Sequence, residues 1–221
     1  MPVRAVVFDV GETITSDTTF WSLWADWIGV PLHTLSALVG AVTALGMDNV
    51  EALKLVKPGF NLAEERAKRE ATGHGEQLTE ADLYPDVRPA LQALREQELW
   101  VGIVGNQTER TGQLLADLRL PVDAIATSGE WGIAKPHQGF FSKVATWAPA
   151  APAEIVYVGD HRDNDIFPAA KAGMRTAHIR RGPLGYLHAA DPALKAAADW
   201  QIDSLFELPH LLAHRPPVSG W

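Results

Sequence analysis

No cysteine occurs among the 221 residues. That excludes a disulfide framework, a thiol nucleophile and a thiolate metal centre, so any metal must take oxygen or imidazole ligands. Positive charge is also scarce: 19 lysines and arginines face 27 aspartates and glutamates, for a formal net charge of −8. With no Lys/Arg-rich run, the chain lacks the electrostatic footprint of a nucleic-acid binder. Long apolar runs are missing as well, since the most hydrophobic later stretch, residues 37–46, is too short to span a bilayer. The amino terminus reads Met-Pro-Val-Arg and then strand, unlike a secretory signal. The expectation is a soluble, cytoplasmic protein that binds neither nucleic acid nor membrane. What remains is ordinary globular material, 47% hydrophobic and 21% charged, long enough for a sizeable core and a second small module.

The chain is organised around Val3 to Thr15. Ala5-Val6-Val7-Phe8 has the length and β-branched content of a strand buried on both faces, and it ends on Asp9. A carboxylate there sits where open α/β sheets place their ligands, although a strand-end aspartate also commonly caps a turn or helix. Residues 16–84 then read as helical throughout, with breaks at Gly29-Val30-Pro31, Pro58-Gly59 and Gly73-His74-Gly75. From Leu83 onward strands and helices alternate. Strands are expected at Leu99–Val104, Ala124–Thr127, Ile155–Val158 and Arg175–Ile179, with a short last one near Ile202. Between them lie helices from Asp86, which is expected to cap the first, and at Thr108–Leu118, Phe140–Trp147, Asp163–Ala172 and Ser204–His214. The loop Ser128–Pro136 connects two of these units, and a Pro-rich tail ends the chain. Such alternation predicts an α/β fold with a parallel sheet covered on both sides. The domains are therefore a core of residues 1–15 and 85–221 and a helical insert of residues 16–84.

Polar groups fall just beyond the carboxyl ends of separate strands: Asp9, then Gly105-Asn106, Lys135 and Asp160. Those ends share one edge of a parallel sheet, so the groups should converge on one crevice. Two carboxylates and a lysine meeting there could hold a hard cation and an anionic substrate together.

In these residues the chain resembles the haloacid dehalogenase superfamily of hydrolases. Phe8-Asp9-Val10-Gly11-Glu12-Thr13-Ile14 is similar to that family's first motif, and Val101-Gly102-Ile103-Val104-Gly105-Asn106 to its second. Ala134-Lys135-Pro136 is similar to the third, and Val158-Gly159-Asp160 through Asp165-Ile166 to the fourth. The resemblance implies a Rossmann-like core, with the insert lying where the family carries its cap. It implies an Mg²⁺-dependent phosphatase acting on a small phosphorylated metabolite. Asp9 would be the nucleophile that forms an aspartyl intermediate. Lys135 would pair with Asp9 and the substrate anion, while backbone N–H groups near Gly105 and Asn106 cradle that anion. Mg²⁺ would be bound by Asp9, the Gly11 carbonyl and Asp160, and Asp165 would steady the metal or Lys135. A monomer or homodimer is expected.

Two positions depart from the pattern. Where the family's phosphatases carry an aspartate that protonates the leaving group stands Gly11, and where the second motif carries Ser or Thr stands Gly105. General acid catalysis is worth roughly 10²–10⁴ in rate, so the missing acid outweighs the missing hydroxyl and points to a substrate with a good leaving group. Glu12 is expected to point away from the site if the chain there is extended, His161 is expected in an exposed loop, and a residue of the helical insert is a further candidate proton donor. The alternatives are a phosphonate- or carbon–halogen-cleaving relative, or a fold that only binds a ligand or partner. Haloacid-cleaving members dispense with metal and lack the Gly-Asp pair, and Gly159-Asp160 is present here.

In the insert, Phe20, Trp21, Trp24 and Trp27 form a helical stripe, either the insert's core or an aromatic wall over the site. On the second option Trp21 and Trp24 are candidate substrate contacts. Lys54 and Lys57 read as surface lysines, with a Schiff-base role as the sharper option. Arg66 and Arg69 are expected on a solvated helix face beside Glu65 or Glu70, and Arg180-Arg181 in solvent or reaching for an anion. His74 and His137 show no ligand spacing.

Overall fold

The computed structural model describes residues 2–213. In chain order, β1 (Ala5–Phe8) is followed by four helices, α1 (Thr18–Ile28), α2 (Leu32–Ala44), α3 (Glu51–Val56) and α4 (Leu62–Ala71). Next come α5 (Val87–Glu96), β2 (Trp100–Gly105), α6 (Glu109–Asp117), β3 (Ala124–Thr127), α7 (Ser128–Trp131) and α8 (Gln138–Trp147). The chain continues through β4 (Ile155–Gly159), α9 (Phe167–Lys171), β5 (Arg175–Ile179), α10 (Gly182–His188), α11 (Pro192–Ala197), β6 (Trp200–Ile202) and α12 (Glu207–Ala213). Among the described residues two compact units result, one of residues 2–16 with 83–213 and the other of residues 17–82.

The first unit is built on a six-stranded sheet in the order β3-β2-β1-β4-β5-β6, every neighbouring pair parallel. Strand β1 lies at its centre, with Val7 opposite Gly102 on one side and Tyr157 on the other. All four residues of β1 and all five of β4 are buried, which is why their sequences are continuously apolar rather than alternating. The chain runs outward from β1 through β2 to β3, then returns to the other side of β1 for β4. That reversal makes the carboxyl ends of β1 and β4 the topological switch point, where such sheets open a crevice. One face is covered by a cluster that includes Val7, Val104, Phe140, Phe141, Val144 and Tyr157. On α5 the buried residues Val87, Ala90, Leu91 and Leu94 follow helical spacing and pack that helix inward.

The helical unit has its own interior, made of Trp21, Trp24, Leu35, Val39, Val42, Leu53 and Phe60 with neighbours. Trp21 and Trp24 thus serve as packing residues of this core; Trp24 is only 1% exposed. Arg69 corrects the expectation of a solvated face. It is buried, its guanidinium stacks 4.3 Å from the Trp24 ring and its Nε donates to the His74 carbonyl. Arg66 does lie partly open beside Glu76. Among the described residues no single helix is long and apolar enough to cross a membrane. The bent pair α1 and α2 is apolar enough together, but its buried apolar residues belong to the helical unit's core.

Several local expectations change. Asp86 precedes α5 but does not cap it; its carboxylate instead receives Arg181, Ser204 Oγ and the Leu205 amide. Three partners, one of them a guanidinium, satisfy the carboxylate better than a single backbone N–H would, so the tertiary partners win. The loop after β3 contains α7, started by a capping box between Thr127 and Glu130. The helix expected from Asp163 opens with a wide turn over Arg162–Ile166 before α9. For the last helix, the expected end at His214 and the Pro-rich tail beyond it lie outside the described residues.

Candidate active site

The site starts from the way β1 ends. The Asp9 amide donates to the Val158 carbonyl at 2.9 Å, which extends the β1–β4 ladder by one residue and holds the Asp9 backbone at the sheet edge. The chain then closes on itself. The Val10 carbonyl accepts from the amides of Thr13, Ile14 and Thr15 and from Thr15 Oγ1. So tight a turn needs a residue in the left-handed region, and Glu12 takes it at φ 52°. The chain is therefore not extended at Glu12. Its carboxylate is engaged by the Tyr84 hydroxyl, which donates to Oε2 at 2.5 Å. Arg181, which was expected in solvent or on a substrate anion, is buried; it pairs with Asp86, donates to the Thr13 carbonyl at 2.8 Å and stacks on Tyr84. It thereby ties the turn to Asp86 and Tyr84.

Lys135 lies after β3 and α7, just before a cis peptide bond to Pro136. Its backbone is gripped by the Asn106 side chain: Oδ1 accepts from the Lys135 amide at 2.8 Å and Nδ2 donates to its carbonyl at 2.9 Å. Asn106 is thus committed to placing Lys135. The lysine Nζ reaches Asp9 Oδ1 at 2.5 Å and Asp165 Oδ1 at 2.6 Å. Asp165 is wholly buried, and its other oxygen accepts from the His161 amide at 3.0 Å. Asp160 follows β4 directly, 6% exposed.

One carboxylate oxygen from each of Asp9, Asp160 and Asp165 lies within 4.8 Å of the others. Three buried carboxylates against one ammonium leave negative charge in excess. Burial pushes the Asp9 carboxyl up to about 6 despite the pull of Lys135. Burial, with repulsion from Asp165 and Asp9, pushes Asp160 well above its ordinary range. Burial alone would lower the Lys135 ammonium, but Asp165 and Asp9 outweigh it and hold the group well above its ordinary range. The donor set is all oxygen, clustered and under-compensated, and so fits a hard divalent cation.

Two glycines make room for this packing. A Cβ on Gly105 would lie 2.7 Å from Asp9 Oδ1 and 3.0 Å from Val10 Cγ2, so the position expected to carry Ser or Thr is filled by the neighbours' own side chains. A Cβ on Gly159 would lie 2.4 Å from Asp165. His161 is half-buried rather than an exposed loop residue. Its Nδ1 accepts from the Asp163 and Asn164 amides, and burial, with Lys135 nearby, pushes its pKa down to about 4. It is neutral at pH 7 and unsuited to giving up a proton. The described structure thus brings Asp9, Gly105, Asn106, Lys135, Asp160 and Asp165 together, and places Trp21 and Trp24 in the helical unit's core.

A doubly wound parallel sheet carrying a carboxylate–lysine–carboxylate cluster at its switch point defines a class of α/β hydrolase. Residues 3–173 match the haloacid dehalogenase-like hydrolase family, and the chain belongs to it. It is 39% identical over 105 residues to a glyceraldehyde 3-phosphate phosphatase of Methanopyrus kandleri, covering 45% of this chain and 44% of that one. It is 28% identical over 190 residues to a phosphoserine phosphatase of Thermus thermophilus, covering 85% of this chain and 72% of that one. Among solved structures it resembles YfnB of Bacillus subtilis, a HAD-hydrolase bound to magnesium, with a TM-score of 0.69, 21% identity and coverage of 97% and 100%. The chain spans about half the length of the curated relatives it matches first.

Proposed function

We propose that this protein is an Mg²⁺-dependent phosphatase that works on a small phosphorylated metabolite through an aspartyl-phosphate on Asp9. The observation that carries the reading is the buried cluster in which Lys135 Nζ lies 2.5 Å from Asp9 Oδ1 while Asp160 and Asp165 face the same point. Asp9 and Asp160, with the Gly11 carbonyl and support from Asp165, would hold the cation, which supplies the positive charge that lets a carboxylate approach a phosphate.

Asp9 attacks phosphorus with a carboxylate oxygen, and the bond to the leaving oxygen breaks. Water then cleaves the acyl phosphate, releasing inorganic phosphate and regenerating the carboxylate. Lys135 keeps Asp9 oriented and offers its ammonium to the charge that develops on the phosphoryl oxygens. Asn106 positions that lysine through its peptide, and backbone N–H groups of the Gly105-Asn106 turn would receive the anion. The helical unit, inserted after the nucleophile's turn, serves as the cap.

Gly11 carries no acid, Glu12 is tied to Tyr84 and His161 is neutral. With no proton donor in place among these core residues, a substrate whose leaving group departs without a proton, such as an acyl or aryl phosphate, is favoured over a donor supplied by the helical unit. The phosphatase names of the Methanopyrus and Thermus relatives support the reaction class. The Gly159-Asp160 pair favours a metal-using enzyme over simple dehalogenation. The test is a panel of phosphate esters with added Mg²⁺, run beside Asp9→Asn. Turnover of activated esters by the wild type, abolished in a folded Asp9→Asn, is expected. Wild-type rates in the variant would remove Asp9 from its role, and silence on every ester with Mg²⁺ still bound would leave a binding protein.

A further inference from the structure

His178 on β5 has no exposed surface, and its Nε2 lies 3.0 Å from the backbone carbonyl oxygen of Asp160. A carbonyl can only accept, so Nε2 carries the proton and donates it. The other ring nitrogen, Nδ1, is buried without a hydrogen-bond partner. Pairing of β4 with β5 runs as far as Gly159 opposite His178. The Asp160 carbonyl therefore lies one residue past the ladder, and a side chain completes what the strand no longer supplies.

The same peptide group is held on its other edge too, where the His161 N–H donates to Asp165 Oδ2 at 3.0 Å. The Asp160–His161 peptide plane is thus clamped between a histidine of the neighbouring strand and a carboxylate of the following turn. A leucine or phenylalanine would fill the volume at His178 without burying an unpaired nitrogen. What the histidine adds is the N–H.

We infer that His178 is a positioning residue for the metal site: by fixing the Asp160–His161 peptide plane it sets the direction in which the Asp160 carboxylate projects. Groups behind metal ligands act in this way, by removing the freedom a ligand would otherwise lose on binding. The inference rests on the metal role proposed for Asp160.

Glutamine and methionine test it, since both match the reach of the ring and only glutamine keeps a donor near the Nε2 position. Mg²⁺ is titrated by calorimetry into metal-free wild type, His178→Gln and His178→Met, and the Mg²⁺ dependence of turnover is measured beside it. His178→Met is expected to bind Mg²⁺ roughly 10-fold or more weakly, with His178→Gln close to wild type. Unchanged affinity in a folded His178→Met, or equal losses in both variants, overturns the inference and leaves a packing role. Should His178→Met not fold, ¹⁵N-imidazole spectra of the wild type decide: a proton on Nε2 supports the inference, and one on Nδ1 overturns it. Wild type that takes up no Mg²⁺ overturns the metal reading itself, whereas equal affinities across the three proteins overturn only the part given to His178.

Discussion

Gly159 and Asp165 share one space: a Cβ on the glycine would sit 2.4 Å from both Cγ and Oδ2 of the aspartate. The last residue of β4 lacks a side chain because the carboxylate that holds Lys135 passes directly over it. Gly159→Ala must therefore displace Asp165, and through it Lys135. Overpacking of this kind costs about 1–3 kcal/mol, and turnover should fall with it. Denaturant unfolding and a rate assay on the same preparation check both. An alanine variant of wild-type stability would show that Asp165 moves freely.

Lys135 is the single cation bonded to Asp9 and Asp165 among the described residues. Lys135→Met would leave those buried carboxylates without a countercharge, a change that typically costs about 3–5 kcal/mol. Mg²⁺ should restore more stability to this variant than to wild type, because an ion in the cluster then supplies the only compensation. Urea melts with and without Mg²⁺ measure the difference, and equal Mg²⁺ effects in the two proteins would count against a shared site.

Gly11 offers a gain-of-function test. If leaving-group protonation is the missing element, Gly11→Asp should raise turnover of an alkyl phosphate by up to about 10²-fold while changing an aryl phosphate much less. Competition between two such esters reads the ratio directly. An unchanged ratio would mean that proton delivery does not limit this enzyme.

In the helical unit, Glu65 accepts from Lys68, Trp27 Nε1 and Lys57, and these bonds pull its carboxyl down from 4.5 to about 2. A depressed folded-state pKa means that the stabilisation is fully present above pH 4.5 and is lost as pH falls toward 2. Glu65→Gln should accordingly melt below wild type at neutral pH, and the gap should close across that acid window. Melting curves followed by circular dichroism from pH 7 to pH 2 test it; a gap that persists at the acid end would assign the effect to shape rather than charge.

The site residues were legible in the sequence because each follows a short apolar strand, and a parallel sheet brings such ends to one edge whatever lies between them. Asp9 and Asp160 needed only that rule, whereas Lys135, in the loop beyond α7, also needed the likeness of Ala134-Lys135-Pro136 to a family motif. The partners were less legible. That Asn106 grips the Lys135 peptide, or that His178 reaches the Asp160 carbonyl, depends on strand register and on a turn 29 residues away from the amide it serves. The extended chain expected at Glu12 gives way to a left-handed conformation, which nothing local announces in a glutamate, although its carboxylate is taken up by Tyr84. Arg69, Arg181 and Asp86 looked like surface or capping residues because charge predicts exposure until a tertiary partner is supplied.

The order of apolar runs and breakers by itself determined the α/β class, the helical stretch between Thr15 and Leu83 and the polar residue at each strand end. Only the tertiary structure decided which charges are buried, which side chains hold the site's backbone and why glycine stands at 105 and 159. The reason is one of range: periodicity and turn chemistry act over a few neighbouring residues, whereas burial and hydrogen-bond partnership are set by segments that meet only once the sheet has formed.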